Sequence, residues 1–375
     1  MVVTRLLTPL KRLLRSPSYA HAVSSLSEAS ASPEIVQHLL EPFEVIRPRP
    51  ANLRPEDNRL FEHEYRRRFA GTDLYALHDV LATSDGAFIK SGQTIQALRH
   101  AADETLSMGR LYSARHTFLS PRKRFDDESK TYVCAFNRWS ATNYFHWMCD
   151  VLPRVYLARN TVDGCTFVLP ANHTAPFISA SLAPFRPASV EYFHRLCVAH
   201  FNDVIVPGHV AVSGNYHDET IRELSRFLVD AYDSPGGDRS RRIYVTRRKA
   251  SFRYIENESE VLDVVKRYGF DVVANEDLSF EEQVVLYSRT RFLVGIIGAN
   301  LTNVMFMEPG AALLQFTRSD DAHNHSYYSL AAAKGVRFYY QHAPYVDTRP
   351  GEYWNLRIAI DALENNIEKM LAGEA

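Results

Sequence analysis

RFLVGIIGANLTNVMFMEPGAALLQF, residues 291–316, is the stretch on which the fold turns. Its opening, RFLVGII, is apolar on both faces, which suits a parallel strand covered by helices on either side. GAN then makes a tight turn, LTNVMFM opens a short helix, and AALLQF is the next strand. Upstream, RIYVTR (242–247) and FDVVAN (270–275) read as strands, and downstream VRFYYQ (336–341) adds another. Between them Asn257 caps a helix with Glu260 in the capping-box position. Val261, Leu262, Val265 and Tyr268 form its apolar stripe and Gly269 stops it. Ser279 starts a further helix, with Glu282 three residues on. This alternation predicts a doubly wound α/β domain over 241–353. A last helix within 354–375 is expected to pack back on the first half.

Before this domain, DSPGGDRSRR (233–242) combines proline, glycines and charges and reads as a linker. Residues 34–232 form the expected first domain. TYVCAF (131–136), CTFVLP (165–170), ASVEYF (188–193) and NDVIVPG (202–208) are its strands. NYFHWMCDVLPRVYLAR (143–159) reads as a helix with a kink at Pro153. HDETIRELSRFLVDAY (217–232) repeats Ile221, Leu224, Phe227 and Leu228 at helical spacing. Residues 34–130 predict short strands and irregular structure, and 1–33 a tail and linker.

Composition narrows the function. The 375 residues carry a formal net charge of -1, so no global basic field marks a nucleic-acid binder. The four cysteines, Cys134, Cys149, Cys165 and Cys197, show no CxxC pair and read as free thiols. No apolar run is long enough to span a membrane. The first residues, MVVTRLLTPLKRLLRS, read either as a basic amphipathic segment on an anionic membrane face or as a frayed terminus.

Four groups could carry chemistry. Gly295, Gly298, Ala299, Asn300 and Thr302 follow a buried strand and open a helix, where backbone N–H groups can meet a phosphate. A close-packed turn explains the same residues. Asn143, His146 and Asp150 share one helix face, and Asp150 or His146 could take a proton from a hydroxyl. A purely structural His–Asp pair is the alternative, and no third ligand for a metal is near. Arg247, Arg248, Lys249 and Arg253 follow a strand end and could grip a diphosphate. His323, Asn324 and His325 follow the fourth strand and read as nucleotide contacts or as loop.

Three blocks, in order, resemble the family 61 glycosyltransferases over about 131–345. NYFHWMCDVLPR looks like the family's Asn-x-Phe-His-x-x-x-Asp signature. RIYVTRRKASFRYIENESEV is similar to its strand and following Arg-x-Ile-x-Asn-Glu segment. Residues 278–316 resemble its most characteristic block. The resemblance implies a GT-B architecture, two Rossmann-like domains facing across a cleft. It implies inverting, metal-independent sugar transfer from a nucleotide-sugar donor, UDP-linked by default, to a glycan or glycolipid acceptor in surface or capsular polysaccharide synthesis. Asp150 is then the first choice for the base and His146 the second, with Asn143 in the acceptor cleft. Arg247, Arg253, Gly298, Ala299, Asn300, Leu301, Thr302, Asn303 and Gln315 would hold the donor. The expected location is the bacterial cytoplasm, peripheral on the inner membrane face through the basic N-terminus. The family block reads Gly-x-His-Gly-Ala-Gly-Leu-Thr-Asn, whereas here Ile297 replaces the His and Asn300 the last Gly. Asn300 is therefore expected in a left-handed conformation. Gln315 stands where many bacterial members carry an acid. These departures leave a donor-binding scaffold without turnover as the alternative function.

Overall fold

The structure, a computed structural model, describes residues 33–95, 98, 110–233, 237–250, 253–318, 325–344 and 355–373. Strand β1 (Glu34–Leu40) is followed by an antiparallel ribbon of β2 (Phe43–Ile46) and β3 (Arg66–Phe69), with the short helix α1 (Asn58–Phe61) in its connection. Then come β4 (Thr72–Ala82), β5 (Phe88–Lys90), β6 (Gln93–Thr94), α2 (Arg110–Phe118), β7 (Arg122–Phe125) and β8 (Tyr132–Val133). The segment over 144–162 carries α3 (Tyr144–His146), α4 (Leu152–Leu157) and α5 (Arg159–Val162). It leads to β9 (Thr166–Pro170), α6 (Pro176–Leu182), β10 (Ser189–Phe193), β11 (Val198–Pro207) and α7 (Asp218–Tyr232).

The first sheet runs β10-β9-β8-β11-β4-β5-β6, with β1 on β4 and β7 on β11. Strands β7 to β11 pair in parallel, but β4 joins β11 antiparallel and β5 and β1 join β4 antiparallel. The sheet is therefore mixed. Short, irregular strands were expected before residue 131, yet β4 has 11 residues and lies inside the sheet. Leu74, Leu77 and Val80 are buried but do not alternate evenly, and the exposed His78 and Asp79 interrupt the pattern and hide the strand from a periodicity reading.

The second half holds β12 (Arg241–Val245), α8 (Glu258–Arg267), β13 (Asp271–Val273), α9 (Phe280–Ser288), β14 (Thr290–Ile296), β15 (Ala312–Arg318), α10 (Ser326–Lys334), β16 (Arg337–Ala343) and α11 (Ile360–Ala372). Its sheet is wholly parallel in the order β13-β12-β14-β15-β16. The strand order reverses between β12 and β14. In an open α/β sheet, the crevice beyond the carboxyl ends at such a switch point is where ligands bind.

The capping box at Ser279 forms with both of its bonds. The one expected at Asn257 does not, because its amide is turned away to bond the backbone of Ile358 twice, at 2.9 Å each. The two halves pack together extensively. Phe61 sits against Tyr328, Phe338 and Tyr340, and Tyr328 donates its hydroxyl to the Pro48 carbonyl at 2.8 Å. Residues 48–61 thus lie against the second sheet, although they fall between β1 and β4 of the first. Helix α11 packs on α8, β15 and β16, and meets the first half where Asn52 donates to Asn366 Oδ1 at 2.9 Å. Among the described residues no helix is long and apolar enough to cross a membrane.

Candidate functional site

The helical segment after residue 143 is broken in an informative way. Asn143 accepts a hydrogen bond from the Phe145 N–H at 3.0 Å and caps α3. Pro153 has no N–H to donate one turn back. The ladder accordingly widens into a π-helical turn over Trp147–Val151, and α4 starts at Leu152. The expected kink is present in this form. Asn143 is partly exposed, and its side-chain oxygen is committed to the cap.

Across the widened turn, His146 Nδ1 lies 2.7 Å from Asp150 Oδ2. The Ser213 hydroxyl donates to both Asp150 oxygens, at 3.1 and 2.9 Å. An ionised carboxylate only accepts, so Nδ1 carries the proton and Nε2 is the basic nitrogen. Asp150 is turned inward, its side chain 6% exposed against 19% for His146. The His146 ring stacks on Trp139 with centroids 5.4 Å apart. In this geometry the Asp150 carboxylate orients the imidazole, and Nε2 of His146 is the ring atom that keeps its lone pair.

Behind Asp150 lies Arg154, one turn further along and almost fully buried. Its Nε donates to the Pro207 carbonyl at 2.8 Å, and Nη2 donates to the same oxygen. Burial pushes its guanidinium down to about 10, and the Asp150 charge opposes that shift. Pro207 ends β11, and Ser213 follows in the next loop. Arg154 therefore ties the helix to the strand end from which Ser213 reaches Asp150. Neither Ser213 nor Trp139 carries a sequence signal. Arg154 does, as a charge inside the apolar run LPRVYL, where an arginine survives only with built partners.

In the second half, Arg247 follows β12 and Gly298 follows β14, one on each side of the switch point. Arg247 Nη1 donates to Asn300 Oδ1 at 3.1 Å. A Cβ on Gly298 would come within 2.2 Å of that same Nη1, so glycine is what lets the guanidinium lie on the turn. Burial lowers the Arg247 pKa, and the neighbouring Arg253 charge lowers it further. Arg253 is buried and holds a φ of 64°, rare for a side chain of its size. The other members of the basic cluster are committed elsewhere, Arg248 to Glu258 at 2.8 Å and Lys249 to Asp277.

The turn itself is a 3-10 helix, Ala299–Phe306. Asn300 lies within it and is not among the left-handed residues, which corrects that expectation. Leu301, Thr302 and Asn303 are fully buried and face the protein rather than a cleft. Asn303 accepts from the Tyr144 hydroxyl and donates to Gln283, both at 2.8 Å, joining α3 to the second sheet. Ile297 is fully buried in the core. Gln315 is buried too, and its Oε1 has no hydrogen-bond partner, as is also true of Asn300 Nδ2. His325 packs on Phe61 at 5.1 Å, while His323 and Asn324 lie outside the described residues. Among the described residues no three His, Cys, Asp or Glu side chains gather as a metal site would require. Cys134, Cys149 and Cys165 are buried free thiols, and Cys197 is partly exposed.

One wall joins the two groups. The Phe145 ring, next to His146, meets Tyr327 at 5.6 Å. Burial raises the Tyr327 hydroxyl pKa, while the Arg253 and Arg247 charges act on it in the other direction. The histidine and the paired arginines thus border the same seam between the halves.

Two similarities to known proteins bear on this chain. A family model described as Glycosyltransferase 61 matches residues 144–314, from the first residue of α3 into β15. The chain is also 26% identical over 132 residues to the EGF domain-specific O-linked N-acetylglucosamine transferase of Drosophila melanogaster. That match takes in 34% of this chain and 25% of the relative, so the chain spans about a quarter of the relative's length.

Proposed function

We propose, on the premise that residues 144–314 form a glycosyltransferase 61 domain, that the protein moves a sugar from a nucleotide-sugar donor to an acceptor hydroxyl by one inverting displacement. The Drosophila relative's name, an O-linked transferase, supports a hydroxyl oxygen as the attacking atom. The observation that carries the reading is the hydrogen-bonded row Ser213–Asp150–His146, whose neighbour Phe145 meets Tyr327, a side chain on which the Arg247 and Arg253 charges act. His146 Nε2 takes the acceptor proton while the oxygen attacks the anomeric carbon. The bond from that carbon to the diphosphate breaks, and the departing oxygen's charge falls to Arg247 and Arg253. Buried like charges are uncomfortable alone and are relieved by an anion, which suits a diphosphate. The two sheets then act as the two units of a GT-B enzyme, over 34–232 and 241–353. No metal takes part, UDP is the default nucleotide, and the acceptor is a growing surface glycan or glycolipid on the cytoplasmic side of a bacterial membrane.

The test pairs binding with turnover. Thermal unfolding with a panel of nucleotides and nucleotide sugars should show stabilisation by one nucleotide class, extended by one attached sugar. His146→Ala should keep that stabilisation and lose transfer. Retained transfer in His146→Ala removes the proposed base. A second reading, a donor-binding scaffold without turnover, is favoured by Ile297, which fills with core aliphatic the place of the family's histidine. Transfer by the purified chain would exclude it.

A further inference from the structure

We propose that the end of the first sheet formed by β7 and the turn entering β11 is a docking surface for an anionic lipid bilayer. Three large apolar side chains stand out here: Phe118 at 53% exposure, Tyr192 at 39% and Leu196 at 67%. Around them Arg115, Arg122, Lys123, Arg124 and Arg195 are all exposed.

The backbone brings these residues together from separate segments. Val198 N–H donates to the Pro121 carbonyl at 2.8 Å, which sets Leu196 beside the stretch from Phe118 to Arg122. Lys123 Nζ donates to the Tyr192 carbonyl at 2.7 Å, and Ser84 Oγ to the Arg195 carbonyl at 2.9 Å. Arg122 donates to the Thr117 carbonyl at 2.6 Å. Among the described residues none of the five cations forms an ion pair with a carboxylate. Of the bordering acids, Asp79 is paired with His200 at 2.8 Å and Asp85 accepts from the Tyr112 hydroxyl at 3.2 Å.

Charge complementarity selects the occupant. Cations near an anionic membrane surface each add attraction, and protruding Phe and Leu side chains gain by entering the acyl boundary. A soluble polyanion would use the arginines but gain nothing from Phe118 and Leu196. The acidic run Asp126–Glu128 follows β7 at its other end, so only one end of this edge can approach negative lipid. The β4–β5 turn that meets Arg195 also meets the backbone of Phe136 and Asn137. A Cβ on Gly86 would lie 3.0 Å from the Phe136 carbonyl, and two residues beyond Asn137 is Trp139, on which His146 stacks. On the transfer reading above, docking would hold a lipid-borne acceptor near His146. Docking itself does not depend on that reading, and it is separate from the basic stretch at residues 5–15.

The test is sedimentation of the full chain with phosphatidylcholine vesicles, alone or with phosphatidylglycerol. Wild type should bind the anionic vesicles, less so in high salt. The variant Arg122→Gln/Arg124→Gln/Arg195→Gln should bind them on the order of 100-fold more weakly, from about fivefold per cation near such a surface. Leu196→Asp alone should also weaken binding, with thermal midpoints unchanged in both variants. Equal sedimentation of wild type and both variants overturns the proposal. So does a surface that binds soluble polyglutamate while Leu196→Asp leaves vesicle binding intact.

Discussion

Replacing Arg247 with glutamine separates donor binding from folding. In the empty protein the Arg247 charge is disfavoured first by burial and then by Arg253. Glutamine can still donate to Asn300 Oδ1 but brings no charge, so the empty variant should be no less stable than wild type. A hydrogen bond to a charged group contributes about 1.5–3 kcal/mol, so the nucleotide diphosphate should bind roughly 10- to 150-fold more weakly. The consequence for stability follows from mass action. At ligand 100 times the wild-type Kd, binding adds about 2.7 kcal/mol to the folded state. With Kd raised about 30-fold, the same ligand concentration adds only about 0.9 kcal/mol. Denaturant titrations with and without UDP, for both proteins, read these differences directly. An undiminished ligand effect in Arg247→Gln would refute the diphosphate assignment. A loss of more than about 2 kcal/mol in the empty variant would show that Arg247 is a structural cation instead.

Other expectations rest on separate parts of the molecule. Ser213→Ala removes the hydroxyl that fixes Asp150, and turnover should fall about fivefold, as for one lost hydrogen bond of ~1 kcal/mol, with UDP affinity unchanged. An equal loss of affinity and turnover would mean that the loop carrying Ser213 has moved. Gly298→Ala should weaken UDP binding with little change in thermal midpoint, because the new methyl meets the flexible end of Arg247 rather than backbone; tight UDP binding measured calorimetrically would contradict this. Burial pushes the His173 imidazole down to about 4, against an unfolded value near 6.5. The unfolded chain therefore takes up that proton first, and about 3 kcal/mol of stability, complete above pH 6.5, is lost as pH falls towards 4. His173→Gln should flatten the pH dependence of denaturant unfolding in that window, and an unaltered slope would place the acid sensitivity elsewhere.

How much of this was legible from residues alone differs between the halves. The second sheet is legible because its inner strands β14 and β15 are buried on both faces, as in RFLVGII, and the helix bearing Val261 and Val265 keeps a single apolar stripe. Local pattern and tertiary position agree there. In the first half they do not. Strand β4 owes its place to β1 and β11, its neighbours on either side, and β11 starts 116 residues after β4 ends. The cap at Asn257 fails for a related reason: Ile358, 101 residues away, competes for the same amide.

The candidate site shows the same limit more sharply. The spacing of His146 and Asp150 brought the hydrogen-bonded pair into view, since i and i+4 share a helix face. It could not rank them. Which of the two acts on substrate depends on where the carboxylate's lone pairs are spent, and that is decided by Ser213, 63 residues further along. Ser213 in turn is placed by the end of β11, which Arg154 holds through the Pro207 carbonyl. Arg154 belongs to the same helical segment as His146 and Asp150. The segment thus carries the proposed base, its orienting acid and the anchor for the residue that orients the acid. A π turn ahead of Pro153 widens the helix between the first two, and so the proline that looked like a break in the sequence helps set the geometry of the site.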